Sequence, residues 1–313
     1  MAAYTSEIAM KVTICIPCHN AAAWVRQAIQ SALGQTDIQP EVIIVDDGST
    51  DDSADIIREF GDRVTLLTGP KRGATHARNL AWQHGSGEWV QFLDADDYLE
   101  PHKIATQLRE APAAEVIYSP VWIETTTGTH TTRELSHTAP AEDIYTQWIT
   151  WRIPQTGGAL WKRTTLEALG GWKEDQPCCQ EHELYLRAIL AQKCFVFAPT
   201  PAAIYRIWSE ETLCRKDPRL VARVRTGLID TLLDWLRQNH KLTPAHTAAA
   251  GQVFFEQART WARYNLPEAA TYSAERKARG PYAITGPAAP RTYRLIHKLL
   301  GFTAAEKIAD FLR

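Results

Sequence analysis

The chain has 313 residues, 45% of them hydrophobic, and a formal net charge of −2 at pH 7. Because it carries no basic excess to neutralise phosphate, we expect no nucleic-acid partner. No apolar run reaches membrane-spanning length, and the first ten residues lack the pattern of a signal peptide. Six cysteines are too few for a disulfide scaffold in a chain of this length, so we expect a cytoplasmic protein.

Strand-like and helical patterns alternate over about residues 11–119. Short apolar runs predict the strands, and apolar residues at helical spacing predict the helices between them. This alternation predicts parallel strands with right-handed crossovers, that is, a Rossmann-like α/β sheet. Asn20 is expected to cap the first helix. The predicted strands are 12–16, 41–45, 64–67 and 88–93, and the predicted helices are 21–33, 53–60 and 74–84.

The rest of the chain divides into a mixed region and a helical region. Up to about residue 206 we expect short strands, a threonine-rich turn over Thr125–Thr132 and a helix over about 180–191. Beyond Asp217, a cap residue followed by proline opens one helix, and Thr243 before Pro244 opens another. Thr303 with a glutamate three residues later has the spacing of a capping box, which predicts a last helix.

The strongest chemical signal is the acidic run Asp94-Ala-Asp96-Asp97 at the end of an apolar strand. Carboxylates two residues apart on a strand point to the same side of the pleat, at the sheet edge where ligands collect. This oxygen geometry suits Mg²⁺ or Mn²⁺ bound to a diphosphate. The alternative is a solvated turn in which the aspartates cap the following helix.

A second acidic cluster, Asp46-Asp47-Gly48, follows an earlier strand in the same way. It would line the nucleotide crevice of a doubly wound sheet, although Asp-Gly is also common in ordinary turns. Arg78 and the acidic start of the helix at Glu181 are weaker signals by themselves. A surface ion pair and a helix-dipole contact would explain them as well.

Four blocks, read in order, resemble a family 2 glycosyltransferase of the GT-A fold. They are 12–20 (VTICIPCHN), 42–51 (VIIVDDGSTD), 73–79 (GATHARN) and 92–99 (FLDADDYL). The resemblance covers about residues 11–207 and implies an α/β fold with a mostly parallel central sheet and flanking helices. Residues 1–210 would form the GT-A domain, with a nucleotide-binding half at about 11–119 and an acceptor half at about 120–210. Residues 211–313 would be a helical appendage.

The resemblance also implies a donor site and a metal site. Asp94 and Asp96 would hold Mg²⁺ or Mn²⁺, with Asp96 the more direct ligand. The base of the nucleotide would meet Asp47 or Asp46. The residues expected to contact the donor nucleotide are Pro17, Asn20, Asp46, Asp47, Arg78 and Asp94.

On the acceptor side, the family pattern E-D-x-x-L-x-x-R is matched by Gln180-Glu181-x-x-Leu184-x-x-Arg187. Glu181 would therefore be the general base, one methylene longer than the usual aspartate. Gln180 departs from the pattern because a neutral amide stands where an acid is expected. Trp172, Gln180 and His182 are expected to face the acceptor.

The function implied is inverting sugar transfer from a nucleotide-diphosphate sugar, with a UDP-sugar favoured, to a hydroxyl of a glycan or lipid-linked acceptor. Surface polysaccharide or glycan synthesis would be its setting. A binding module without activity remains open because of Gln180. A phosphatase of the haloacid-dehalogenase type, which also has a D-x-D motif after a strand, remains open as well.

The last predicted helical segment carries leucines, isoleucines and phenylalanines among basic residues. Such a stripe can lie on an anionic membrane, where a lipid-linked acceptor would be found. It can also pack on its own domain. A peripheral position at the cytoplasmic face of the membrane is therefore one expectation for this chain.

Overall fold

A computed structural model describes residues 10–136, 140, 142–208 and 217–312. These residues form two compact units. The first unit contains the described residues up to 140 together with 153–208. The second contains 142–152 together with 217–312. The segment 142–152 was expected to belong to the GT-A domain, but it groups with the C-terminal helices.

The secondary structure follows the alternation of the sequence. Eleven strands are described: β1 (Lys11–Cys18), β2 (Gln39–Asp46), β3 (Thr65–Thr68), β4 (Trp89–Phe92), β5 (Tyr98–Leu99), β6 (Val116–Tyr118), β7 (Val121–Thr127), β8 (His130–Leu135), β9 (Ala159–Lys162), β10 (Phe195–Phe197) and β11 (Ala203–Ile207). The described helices are α1 (Val25–Leu33), α2 (Ser53–Arg58), α3 (Ala74–His84), α4 (Lys103–Glu110), α5 (Ile144–Ile149), α6 (Arg163–Leu169), α7 (Gln180–Leu190), α8 (Pro218–Gln238), α9 (Pro244–Ala262), α10 (Leu266–Arg279) and α11 (Arg291–Phe311).

The central sheet of the first unit has seven strands in the order β10-β6-β9-β4-β1-β2-β3. All neighbours are parallel except β9, which runs antiparallel to both β4 and β6. Cys18 lies opposite Asp46, and Phe92 lies opposite Cys15. The carboxyl ends of β1, β2 and β4 therefore meet at one edge of the sheet, where both acidic clusters begin.

A second sheet, in the order β5-β11-β7-β8, lies in the same unit. The predicted threonine-rich turn is wrong: β7 and β8 pair through it as a hairpin, with Thr125 opposite Thr132. Threonine is β-branched and suits a strand, and the turn narrows to the residues around Gly128, whose φ of 60° suits glycine. The pairing of β11 with β5 brings Ile204 opposite Tyr98, next to the acidic run.

The predicted cap of the first helix is also wrong. Helix α1 begins at Val25, and Asn20 precedes it with a left-handed φ of 50°. The Asn20 side chain instead accepts a hydrogen bond from the backbone N–H of Thr50 (2.8 Å). Asparagine tolerates this conformation, and here it joins the loop after β1 to the loop after β2.

The second unit has the predicted helix starts. Asp217 accepts from the backbone N–H groups of Arg219 (3.1 Å) and Leu220 (3.0 Å), and Thr243 forms a capping box with His246. The last helix begins at Arg291, earlier than predicted, and is broken at Gly301, where φ is 79°. Within the described parts of the chain, no helix combines the length and the apolar character needed to cross a membrane.

A lysine is buried in the core of the first unit. The Lys103 side chain, at the start of α4, is 1% exposed and donates to the Gln91 side-chain oxygen on β4. Burial holds the pKa of Lys103 well below its ordinary value, because desolvation penalises the ammonium.

We predict that Lys103 makes stability rise with pH. The unfolded lysine binds a proton up to about pH 10. In the folded protein Lys103 loses this proton at a lower pH. The free energy of unfolding should therefore increase by up to about 1.4 kcal/mol per pH unit between the folded and the unfolded pKa of Lys103. Urea unfolding of the wild type and Lys103→Met across this range measures the difference. If the free energy of unfolding changed with pH equally in the two proteins, Lys103 would not be neutral in the folded state.

Candidate active site

The loops after β1 and β2 are hydrogen-bonded to each other at the carboxyl edge of the sheet. The Asn20 backbone N–H donates to the Ser49 hydroxyl (3.0 Å), and the Ser49 N–H donates to the Asp46 carboxylate (3.2 Å). Pro17 is buried within β1 opposite Val45. These contacts hold the two loops in one arrangement. Pro17, Asn20 and Asp46 therefore lie at the same edge of the sheet.

Asp47 organises the loop that precedes α3. It is 4% exposed, and its two carboxylate oxygens accept from the backbone N–H groups of Arg72 (3.2 Å) and Gly73 (2.6 Å). A Cβ at Gly69 would overlap this carboxylate, so glycine is required there. Asp47 thus stabilises a polar loop at the sheet edge, and each oxygen retains a lone pair that a ligand could use.

Arg78 on α3 joins the two halves of the candidate site. Its guanidinium donates to Asp94 (Nη2–Oδ1, 2.6 Å) and to Gln180 (Nη1–Oε1, 3.1 Å), and it lies 4.6 Å from the centre of the Trp172 ring. The residue is only 7% exposed. The planar fork of arginine allows two partners at once, so the acidic run and the start of α7 are held together by one side chain.

Trp172 is fixed beneath Arg78 and is 4% exposed. Asn79 accepts from the Trp172 backbone N–H and donates to its backbone carbonyl, both at 2.8 Å. The Phe92 ring meets Trp172 edge-on at 5.0 Å. Trp172 therefore supports the guanidinium and offers an acceptor little surface. The sequence analysis did not select Asn79, although it directly follows Arg78 in the third matching block.

The acidic run lies in a turn rather than on the strand. Strand β4 ends at Phe92, and the Asp97 N–H donates to the Asp94 carbonyl (3.0 Å). Burial and the neighbouring charge of Asp94 raise the pKa of Asp96, although Trp208 donates to it (Nε1–Oδ2, 3.0 Å). The prediction that Asp94 and Asp96 share one side of a strand is thus wrong. The turn still brings these two carboxylates close enough to repel each other.

Asp97 has a different environment. It is 3% exposed and accepts from the backbone N–H of Arg206 (2.8 Å). Burial, together with the charges of Asp96 and Asp94, raises the pKa of Asp97 well above its ordinary value. Asp97 therefore ties β11 to the acidic turn, whereas Asp94 and Asp96 are only half-buried.

The two carboxylates fit a divalent cation that is shared with a diphosphate. Among the residues that the structure describes, no three His, Cys, Asp or Glu side chains form a group that could hold a metal. Mg²⁺ needs only one or two carboxylates when phosphate oxygens and water complete its shell. Asp94 and Asp96 each commit one oxygen to a donor and have a second, and a cation would relieve the repulsion between them.

Glu181 lies in the first turn of α7, with 28% of its side chain exposed. Burial alone would raise the pKa of Glu181, but the His182 imidazole, 3.6 Å away, and the Arg78 guanidinium more than offset it, so the pKa lies below its ordinary value. The carboxylate is therefore ionised at neutral pH. His182 is only 3% exposed, so it offers an acceptor little surface. Its effect in the site is on the pKa of Glu181.

The position of α7 is set by a half-buried ion pair and its hydrogen bonds. Arg187 pairs with Glu183 on the preceding turn (2.8 Å) and donates to the carbonyl oxygens of Leu169 (2.6 Å) and Gly171 (2.7 Å). Gly171 has a φ of 73°, and a Cβ there would meet Asn79 and Trp82. The turn before Trp172 and the helix that carries Glu181 are thus fastened together.

Tyr205 on β11 lies near the candidate site, and the sequence analysis did not select it. Burial raises the pKa of its hydroxyl, and so do the charges of Asp97, Asp94, Glu181 and Asp96, in that order. These shifts agree with the contacts of Arg78, which join the acidic turn to the start of α7. No local pattern marks this residue, because the pairing of β11 joins segments that are distant in the sequence.

The chain belongs to the glycosyl transferase family 2, whose family model matches residues 13–170. It is 31% identical over 169 residues to an uncharacterized glycosyltransferase of Nostoc, covering 50% of this chain and 52% of the relative. It is 38% identical over 102 residues to chondroitin synthase of Pasteurella multocida, covering 32% of this chain and 11% of the synthase. The matched part thus spans about half of the Nostoc protein and about a tenth of the synthase.

The fold resembles that of two solved glycosyltransferase structures. S. aureus TarS 1-349 in complex with UDP-GlcNAc has a TM-score of 0.63 at 16% identity, covering 96% of this chain and 89% of TarS. The mannosyltransferase PcManGT from Pyrobaculum calidifontis, in complex with GDP-Man and Mn²⁺, has a TM-score of 0.52 at 20% identity, covering 96% and 86%. The expected fold, a GT-A α/β domain followed by C-terminal helices, is confirmed.

We predict that Asp47→Asn destabilises the fold by about 1–3 kcal/mol, because an amide has one acceptor oxygen and leaves one of two backbone N–H groups without a partner. Urea unfolding measures this loss. Asp52→Asn is the matched control, since Asp52 is exposed and its side chain makes no cap hydrogen bond. Equal unfolding free energies for the two variants would show that the Asp47 contacts carry no stability.

Proposed function

We propose that this chain transfers a sugar from a nucleotide-diphosphate sugar to a hydroxyl of a glycan or lipid-linked acceptor, in the synthesis of a polysaccharide or related glycan. The observation that carries the proposal is the Arg78 bridge, which holds Asp94 against the start of the helix that bears Glu181. The likeness to chondroitin synthase and to TarS bound to UDP-GlcNAc supports a sugar polymer and a UDP-sugar donor.

The donor would lie along the carboxyl edge of the sheet. Asp46 or Asp47 would accept from the nucleobase, and Asn20 and Pro17 would line the nucleotide. Asp94 and Asp96 would hold Mg²⁺ or Mn²⁺ beside the diphosphate, where the cation supplies charge neutralisation for the leaving group. The Mn²⁺ in the PcManGT structure supports this choice of metal. Arg78 adds a fixed positive charge at the same place.

The acceptor hydroxyl would be activated by Glu181. Its lowered pKa keeps the carboxylate ionised and ready to take the hydroxyl proton. The acceptor oxygen then bonds to the anomeric carbon as the bond from that carbon to the diphosphate oxygen breaks. The nucleoside diphosphate leaves with the bonding electron pair. One displacement from the opposite face inverts the anomeric configuration, so an α-linked donor gives a β-linked product.

The neutral side chain of Gln180 affects how the charge of Arg78 is shared. An acid at this position would compete with Asp94 for the guanidinium charge, whereas the neutral amide accepts one hydrogen bond and leaves that charge for Asp94 and the diphosphate. The same substitution is the observation that favours a second candidate function, a nucleotide-sugar-binding module without turnover. Turnover by the wild type, measured beside its nucleotide binding, distinguishes the two.

We predict that Glu181→Gln lowers the transfer rate by about 10³-fold or more, because the amide cannot accept the proton, while nucleotide affinity changes by less than about threefold. Release of nucleoside diphosphate in the presence of acceptor measures the rate, and calorimetry measures affinity. Glu167→Gln, an exposed change on α6, is the control. Wild-type turnover in the Glu181 variant would remove it as the base, and a wild type that binds without turnover would favour the binding module.

A further inference from the structure

The last helix, α11, exposes an apolar face. Leu295, Leu299 and Leu300 are 60%, 71% and 60% exposed, whereas Tyr293 and His297 on the same helix are 4% and 7% exposed. The helix therefore packs on its own unit through one side and presents leucines to solvent on the other. Adjacent exposed leucines in a soluble protein mark a surface that something else covers.

Basic side chains share this exposed face. Arg291, Leu295 and Leu299 are spaced four residues apart, so they form one row along the helix. Arg294 and Lys298 form the neighbouring row, and all three basic residues are exposed. We call these five residues the basic-leucine face. It combines charges that reach an anionic layer with apolar side chains that can enter beneath it.

The charge around this face is one-sided. Between Arg276 and Ala305 the sequence contains six lysine or arginine residues and no aspartate or glutamate, in a chain whose net charge is −2. Arg276 is committed to Asp230 (2.8 Å). In the described part of the chain, no carboxylate lies within ion-pair distance of Arg291, Arg294 or Lys298. A second copy docked here about a two-fold axis would bring like charges together, which opposes self-association.

We infer that the basic-leucine face binds an anionic lipid surface. Arg291, Arg294 and Lys298 would lie among the headgroups, and Leu295 and Leu299 would insert at the boundary with the acyl chains. This binding involves no turnover, so its failure would leave the proposed transfer reaction untouched.

The test is sedimentation of the full chain with vesicles of phosphatidylcholine, with and without phosphatidylglycerol. We expect binding only to the anionic vesicles, weakened by salt because the charges at the headgroups are screened. Arg291→Gln/Arg294→Gln/Lys298→Gln should weaken binding about 100-fold, from about fivefold per basic residue. Leu295→Gln/Leu299→Gln should weaken it about tenfold or more.

Matched controls change exposed basic and apolar residues elsewhere in the helical unit. Arg237→Gln/Lys241→Gln/Arg263→Gln and Leu220→Gln/Tyr264→Gln alter exposed residues and should bind as the wild type does. Absence of binding, equal binding to neutral vesicles, or equal losses in the controls would overturn the inference. It would also be overturned by a concentration-dependent rise in molar mass that the Leu295/Leu299 variant abolishes, since this assigns the face to a second copy.

Discussion

The candidate site depends on the placement of one guanidinium, that of Arg78. It is buried, lies against Trp172, and donates to Asp94 on one side and to Gln180 on the other. A buried cation is costly unless its donors are used, so this arrangement persists only because both partners are in place. The same charge adds to the larger effect of His182 in lowering the pKa of Glu181, and it lies beside the acidic turn. The acidic turn and the start of α7 are thereby coupled through a single residue.

Much of the surrounding structure serves to keep that placement rigid. Asn79 clamps the backbone of Trp172, and Arg187 fastens the preceding glycine turn to α7. Asp47 fixes the loop from which α3 begins. These polar groups are largely buried and hydrogen-bonded, so removing any one leaves an unsatisfied partner. Residues far apart in the sequence are thus held close together at one edge of the sheet.

The sequence predicts the features that depend on local pattern. Parallel strands buried on both faces appear as continuous apolar runs, which is why β1, β2 and β4 and the acidic clusters at their ends could be placed. Helix starts at Asp217 and Thr243 follow from capping chemistry. The role of Asn20 was wrong because its partner, Thr50, lies in another loop. Tyr205 and Trp208 were missed because the pairing of β11 with β5 leaves no local signal.

The most direct test of the account is the melting temperature of the protein with UDP, GDP, CDP or dTDP, with and without Mn²⁺, for the wild type, Asp96→Asn and Arg78→Met. A ligand at about 100 times its dissociation constant adds about 2.7 kcal/mol of stability. The account predicts a Mn²⁺-dependent rise with one nucleotide that both variants lose. No rise with any nucleotide, or the same rise in all three proteins, would contradict a donor site built on Arg78 and the acidic turn.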